Sequence, residues 1–160
     1  MIRYQLTLPF LDPAKAFHPM LLESTKQKYG SGDVKFAVTD KRDIGKFVAR
    51  IINDPRTLNR YVFCWGEEVS QNEVFALAER ISGQKIPVVH HSEEEVYKLV
   101  KEAQDINSVN LEYQLSIHIR GDDTVENAKK EEYGNALDAR ELYPDLKVIS
   151  LEEYAEEFYS

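Results

Sequence analysis

Apolar residues recur at every third or fourth position along one stretch in the first third of the chain. These positions fall on one side of an α-helix, so the spacing predicts a helix over residues 43–53 with one buried face. Asp43 is the predicted N-cap, and Pro55 ends the helix because the residue before a proline is pushed out of the helical conformation. The predicted buried residues are Ile44, Phe47, Val48, Ile51 and Ile52.

Shorter apolar runs separate the helical patterns. Each run is four or five residues long, contains β-branched or aromatic residues and is bounded by polar, glycine or proline residues, which is typical of β-strands. The predicted strands span residues 4–8, 34–38, 61–65 and 86–89. Their alternation with helices indicates an α/β fold, and we expect a single domain over residues 1–160.

Three helix starts share one signature, a serine followed three residues later by a glutamate. The pattern predicts capping boxes, in which each side chain accepts a hydrogen bond from the other residue's backbone N–H. The three pairs are Ser70/Glu73, Ser92/Glu95 and Ser150/Glu153. Gly83 stands where the helix after Ser70 would end, because glycine readily adopts the left-handed conformation of a C-terminal cap.

Charge and cysteine content narrow the classes of partner and compartment. The chain has 160 residues, a formal net charge of −8 and one cysteine, Cys64. The negative charge argues against nucleic acid or an anionic membrane as a partner. No apolar run approaches the ~18 residues of a membrane span, and no basic-then-apolar leader opens the sequence. One cysteine cannot form an internal disulfide, so we expect a cytoplasmic protein with Cys64 as an inert thiol.

Several segments have a distinctive sequence. Asp43-Ile44-Gly45 is followed at residues 54–59 by Asp-Pro-Arg-Thr-Leu-Asn. This combination resembles the NmrA-like, isoflavone-reductase-like proteins, a branch of the extended short-chain dehydrogenases. The resemblance implies the C-terminal half of a Rossmann-type NmrA-like fold, a few-stranded sheet with packed helices that lacks the dinucleotide-binding half. Further similar segments lie at residues 61–66, 69–73, 142–145 and 151–158.

The cofactor motif of this family is not found in the chain. Family members begin with a strand, a Gly-rich turn and a helix whose N-terminus holds the cofactor pyrophosphate. Gly30-Ser31-Gly32 comes nearest, but a strand-like alternating run follows it, so we predict a tight turn there. The family's catalytic lysine belongs to the same absent half. We therefore expect this chain alone to have no NAD(P)H site.

The resemblance also implies where a substrate would bind. In the resembling enzymes the loop after the first of these strands passes close to the nicotinamide and the substrate, and a helix near residues 110–120 lines the pocket. By pattern alone residues 110–120 fit a helix or a strand, and the resemblance favours the helix, with an irregular segment at residues 124–138. The expected substrate-binding residues are Gln5, Thr7, Pro9, Phe10, Tyr113, Gln114 and His118.

Two of these residues are the catalytic candidates. His118 has a side chain that titrates near neutral pH, and the hydroxyl of Thr7 can donate or accept a hydrogen bond. Each has a structural alternative, a satisfied core histidine for His118 and an outward-facing strand position for Thr7. His90 and His91 lack a third histidine or a spaced carboxylate, so they predict a solvated strand end and no metal site.

Three functions stay open at this point. The first is a protein that binds an aromatic or polycyclic secondary metabolite without its own cofactor site and that could catalyse a non-redox isomerisation or cyclisation. The second is the C-terminal half of a NAD(P)H-dependent reductase, with NADP and the lysine on the other half. The third is an NmrA-like regulator that acts through protein–protein contacts.

The absent half has a physical consequence for assembly. In the family several of these strands extend a parallel sheet that is buried on both faces. Without their neighbours, the strands at residues 4–8 and 61–65 would expose an edge and apolar surface, which proteins usually avoid. We therefore expect a homo-oligomer, most simply a homodimer, or a complementing N-terminal half as a partner, in addition to a small-molecule ligand.

Overall fold

The largest sheet has three strands in the order β1, β3, β5. The computed structural model describes residues 2–16, 18–103 and 106–160. The edge strand β1 (Ile2–Arg3) runs parallel to the central strand β3 (Lys35–Thr39), and β5 (Glu67–Ser70) runs antiparallel to β3. Four consecutive residues of β3 are buried, so this strand forms the base of the core.

Two smaller parallel sheets lie outside this one. β2 (Gln27–Tyr29) pairs with β6 (Val89–His91), which brings Tyr29 opposite His91. β4 (Val62–Phe63) pairs with β7 (Leu137–Asp138). The fold is therefore α/β, with its strands divided among small sheets.

Helices connect and cover the sheets. α8 packs against α3, and α4 packs against α5. The helix α5 continues without a break into one π-helical turn, Ser116–Arg120, which the left-handed Gly121 ends. The helices are α1 (Met20–Ser24), α2 (Lys41–Ile51), α3 (Gln71–Ser82), α4 (Glu93–Glu102), α5 (Ile106–Leu115), α6 (Val125–Ala128), α7 (Ala139–Leu142) and α8 (Leu151–Tyr159). Short 3₁₀ turns lie at Tyr4–Leu6, Pro13–Lys15, Pro55–Thr57 and Glu131–Tyr133.

The three predicted capping boxes are confirmed. At α3, the backbone N–H of Ser70 donates to Glu73 Oε2 at 2.7 Å, and the N–H of Glu73 donates to Ser70 Oγ at 3.3 Å. The same reciprocal pairs begin α4 and α8. Gly83 ends α3 with φ +68°, as predicted. These signals are local, so the sequence contains everything needed to recognise them.

The helix predicted at residues 43–53 exists, but its cap and its buried face differ from the prediction. α2 begins at Lys41, and its N-cap is Asp40, whose carboxylate accepts from the N–H of Arg42 at 2.7 Å. Asp43 lies inside the helix, where it is buried. Of the predicted apolar stripe only Phe47 is fully buried, while Val48 is 48% and Ile52 73% exposed. Apolar spacing identifies a face but does not fix how much of that face other residues cover.

The predicted first strand is also wrong. Residues 4–6 form a 3₁₀ turn, because the N–H groups of Thr7 and Leu8 both donate to the carbonyl of Tyr4 at 3.0 and 3.2 Å. A strand would need those donors for a neighbouring strand. The strand predicted at residues 86–89 begins instead at Val89. By contrast, β3 matches its prediction to within one residue, and the helix favoured at residues 110–120 is confirmed.

Two apolar clusters form the core. The larger one joins the central sheet to helices α3 and α8 and includes Tyr4, Leu8, Phe36, Val38, Val69, Val74, Leu151 and Ala155. The smaller one places α2 against α7 and includes Phe47, Ala139 and Tyr143. In the described part of the chain, no helix is both long and apolar enough to cross a membrane.

One buried and one partly buried carboxylate hold the segment before α8 onto the core. Asp43 Oδ2 accepts from the N–H of Ile149 at 2.7 Å, and the carboxylate of Glu67 accepts from the N–H of Leu151. The hydroxyl of Tyr4 donates to the carbonyl of Ile149 at 3.0 Å. The N-terminal turn and the C-terminal helix are therefore fixed through the same few backbone groups.

Replacing Phe47 by alanine tests which part of the α2 stripe belongs to the core. Phe47→Ala should lower the free energy of unfolding by about 3–5 kcal/mol, because the ring fills a closed site between α2 and α7. Val48→Ala is the matched control on the next position and, at a concentration where the chain is monomeric, should change the free energy of unfolding by less than about 0.5 kcal/mol, because Val48 is exposed. Urea unfolding of the three proteins measures both values, and equal losses in the two variants would contradict this assignment.

Candidate functional site

A cavity of about 300 Å³ opens between the N-terminal turn, α1, β2, α3 and α5. Its apolar wall comes from Leu6, Leu21, Phe36, Val74, Phe75 and Ile117. Its polar groups are hydroxyls (Thr7, Ser24, Thr25, Tyr29), amides (Gln27, Gln71, Asn110, Gln114) and the imidazole of His118. Aromatic and aliphatic walls with a few polar groups are the usual composition of a small-molecule site.

Three aromatic rings form a stack beside this cavity. Tyr29 lies between His91, at 5.3 Å and 17° between ring planes, and His118, at 5.9 Å and 4°. Phe36 meets the His118 ring edge-on, with 4.8 Å between centroids. The imidazole of His118 is therefore held from two directions by aromatic contacts, which fix its orientation.

Gln71 holds this stack in place. Its side-chain oxygen accepts from the N–H of Tyr29 at 2.9 Å, and its side-chain nitrogen donates to the carbonyl of Gln27 at 3.1 Å. Gln27 in turn accepts from Nε2 of His91 at 2.6 Å. Because Gln71 is buried and directly follows the cap of α3, it links the first turn of that helix to β2.

Gln71, Tyr29 and His91 contribute to the site although no sequence pattern predicts it. Gln71 occupies the first position of a capping-box helix, and the pattern around His91 predicts a solvated strand end. No local pattern shows that β2 and β6 pair, so the contact between Tyr29 and His91 has no sequence signal. His90 Nε2 donates to the carbonyl of Gly30 at 2.7 Å, and no metal-binding group of three side chains occurs among the described residues.

Burial determines the protonation state of His118. It lowers the pKa of the imidazole from its usual 6.5 to about 4, so the ring is neutral at pH 7. The Nδ1 atom is buried and has no hydrogen-bond partner among the described residues. Burial likewise raises the pKa of the half-buried Cys64 thiol to about 11, which keeps that thiol protonated.

Thr7, Gln114 and His118 line the cavity together, whereas Tyr113 does not. Tyr113 is 62% exposed and lines a shallow groove with Val109 and Arg120. Neighbouring helical residues point about 100° apart, and the rotation of α5 turns Gln114 toward the cavity and Tyr113 toward the groove. The placement of Tyr113 in the site is therefore corrected.

Pro9 and Phe10 also lie away from the cavity. Both are buried, and they pack on α8: the Phe10 ring meets Phe158 at 5.1 Å, and the Pro9 carbonyl accepts from the hydroxyl of Tyr159 at 2.8 Å. The chain turns toward α8 after the 3₁₀ turn, which removes these two residues from the predicted site. The side chain of Gln5 lies outside the described part of the chain.

Comparison with known proteins defines the class. The sequence model of the NmrA-like family matches residues 3–155, so this chain belongs to the NmrA-like family. An asnovolin J 5′,6′-dehydrogenase from Aspergillus novofumigatus is 37% identical over 138 residues, which are 79% of this chain and 41% of that protein.

Solved structures agree with this family. The crystal structure of isoflavone reductase is 32% identical and has a TM-score of 0.69 over 82% of this chain and 42% of that one. A complex of leucoanthocyanidin reductase from Vitis vinifera with NADPH is 27% identical, with a TM-score of 0.69 over 83% of this chain and 44% of that one. The chain thus spans about two fifths of the length of these relatives.

The described residues do not fit the pyrophosphate of NADPH. The Gly30–Gly32 turn leads into β3, as predicted, so no helix N-terminus follows it. The described N-termini of α2, α3, α4 and α8 are closed by their own caps and carry an acidic residue in the first turn. Carboxylates in these positions repel a further anion. No reaction step is therefore assigned to a cofactor held by these residues.

The lowered pKa of His118 predicts a specific loss of stability in acid. Between pH 6.5 and pH 4 the unfolded chain binds a proton at His118 while the folded chain does not, so stability falls as the pH falls. Between pH 7 and pH 5, wild type should lose about 1–2 kcal/mol more unfolding free energy than His118→Phe. Urea unfolding at both pH values measures the difference, and equal losses would show that His118 titrates normally in the folded protein.

Proposed function

We propose that this chain is the substrate-binding part of an NmrA-like, NAD(P)H-dependent reductase and that its cavity holds an aromatic group of a small, uncharged metabolite. The observation that carries the proposal is the lining of the cavity. It combines an aromatic stack with hydroxyl and amide groups. His118 is the one described lining residue whose side chain ordinarily titrates near pH 7, and it is neutral here, so the described lining carries no charge at that pH. Charged ligands would therefore enter without a compensating group, which is unfavourable in a cavity of this kind.

The similarity to named reductases supports the aromatic part of the proposal. Isoflavone reductase and leucoanthocyanidin reductase are named for aromatic molecules, and the family model matches residues 3–155, which include the elements that form the cavity. The chain spans about two fifths of those proteins, so the redox step is assigned to residues outside the described part of this chain. Its own contribution is to bind and orient the substrate.

A non-redox acid–base reaction is a weaker candidate. It would need a proton donor in the cavity, and the residue expected for that role was His118. With a pKa of about 4, only about one imidazole in a thousand is protonated at pH 7. His118 is therefore better suited to hydrogen bonding with a ligand than to proton transfer.

Filling the cavity should weaken ligand binding. Leu6→Trp enlarges a side chain at the cavity wall, and Val109→Trp is a matched control in the separate groove, because the two residues are 41% and 49% exposed. With 4-allyl-2-methoxyphenol as the probe, Leu6→Trp should weaken binding at least about tenfold. Val109→Trp should leave binding unchanged.

Titration calorimetry with the three proteins measures these affinities. Similar affinity for all three would place the ligand outside this cavity. No saturable heat with wild type would contradict the proposed ligand class itself.

We also propose that the apolar face of α2 is covered by a second copy of the chain. Val48 and Ile52 lie four residues apart on that helix, so they share a face, and Leu58 and Tyr61 follow with exposed side chains. Apolar side chains concentrated in one region favour an interface, and a two-fold symmetric pair is the simplest assembly.

Light scattering tests this assembly. Wild type should give about twice the chain mass of 18.5 kDa, and Ile52→Asp should give the monomer mass because it places a charge in the interface. Tyr97→Asp, on the exposed side of α4, is the control and should stay dimeric. A wild-type monomer at high micromolar concentration would refute the proposal.

A further inference from the structure

The imidazole of His118 is held without using its hydrogen-bonding groups. Its ring–ring contacts among the described residues are the stacked ring of Tyr29 and the T-shaped ring of Phe36. Buried histidines are usually oriented by a hydrogen bond from one ring nitrogen, yet Nδ1 here is buried without one. Nδ1 is closed to solvent, so a ligand in the cavity meets the ring through Nε2, which also has no hydrogen-bond partner among the described residues.

Three other polar side chains of the cavity wall are already engaged. Gln71 uses both its amide oxygen and its amide nitrogen on the backbone of β2. Gln27 bonds His91 and the carbonyl of Glu23. Thr25 Oγ1 accepts from the N–H of Phe10 and donates to the carbonyl of Leu21. These side chains therefore hydrogen-bond to other protein groups, whereas the imidazole of His118 does not.

The ring is also fixed before any ligand arrives. Gln71 fixes β2, β2 places Tyr29, and Tyr29 lies flat against His118 with only 4° between ring planes. A group that is held in its binding orientation loses little conformational freedom when a ligand binds, which favours affinity. Burial keeps this imidazole neutral, with a pKa of about 4, so it offers one donor and one acceptor nitrogen.

We propose that His118 is the specificity-determining residue of the cavity and that its imidazole forms a hydrogen bond with a hydroxyl group of an uncharged aromatic ligand. The cavity then selects a phenol over the corresponding methyl ether, because the ether cannot donate a hydrogen bond. This inference rests on the proposed function, since it requires that the cavity binds an aromatic ligand.

The test compares two ligands that differ only in this group, 4-allyl-2-methoxyphenol and its O-methyl ether. Wild type should bind the phenol about three- to tenfold more tightly, which is the effect of one neutral hydrogen bond. His118→Phe keeps a flat ring between Tyr29 and Phe36 but has no nitrogen. It should retain its affinity for the ether and bind the phenol no more tightly than the ether. Tyr29→Phe removes the hydroxyl of a neighbouring ring in the cavity and tests whether that hydroxyl discriminates the two ligands instead. Tyr97→Phe, outside the cavity lining on α4, is the control and should keep the wild-type preference.

The possible results distinguish the role proposed for His118 from the proposed function of the cavity. Equal affinity of wild type for both ligands would overturn the role of His118 and leave the proposed function intact. Loss of the preference in Tyr29→Phe but not in His118→Phe would assign recognition to Tyr29 instead. If wild type binds neither ligand, the proposed function fails and this inference fails with it.

A measurement on wild type alone covers the case in which His118→Phe does not fold. In protein with ¹⁵N-labelled histidine, the phenol should shift the imidazole nitrogen resonances of His118, and the ether should leave them nearly unchanged. Equal shifts with both ligands would overturn the proposal.

Discussion

The cavity depends on one polar contact, the amide of Gln71 against the backbone of β2. β2 pairs only with β6 in the described part of the chain, so that sheet has no strand in common with the central sheet. Gln71 directly follows β5 and opens α3, and its side chain holds both Gln27 and Tyr29. The contact therefore joins two sheets, and the cavity lies where Tyr29 of one and Phe36 of the other approach His118.

This arrangement determines what the site can do chemically. Tyr29 and Phe36 hold His118 by ring contacts and bury it, and burial keeps the imidazole neutral. A neutral, fixed imidazole is suited to recognition of a neutral polar group, whereas a general acid near pH 7 would need a higher pKa. Under the proposed function, the redox step falls to residues beyond this cavity, and the cavity binds the substrate.

Local signals in the sequence predicted local structure well. The capping boxes, the left-handed Gly83 and the strand β3 follow from neighbouring residues alone, and the structure confirms them. Where the outcome depends on distant residues, the predictions were wrong. Val48 and Ile52 have the spacing of core residues, yet they are exposed because nothing in the described chain covers them.

The same contrast between local sequence signals and contacts of distant residues applies to the site. The resemblance pointed to Thr7, Gln114 and His118, and the structure places them around one cavity. The resemblance could not tell that Gln114 lines the cavity and Tyr113 does not, because this depends on how α5 is rotated about its axis. It could not exclude Phe10, because this depends on where α8 lies. Gln71 had no signal, because its role follows from a contact between segments more than 40 residues apart in sequence.

Methyl NMR can locate an aromatic ligand in this cavity. With labelled Ile, Leu and Val methyl groups and 4-allyl-2-methoxyphenol, we expect nuclear Overhauser effects between the ligand ring and the methyls of Val74 and Ile117, which line the cavity. Ligand contacts at Val100 and Val109, which line the other groove, with none at Val74 and Ile117, would contradict the proposed function of the cavity.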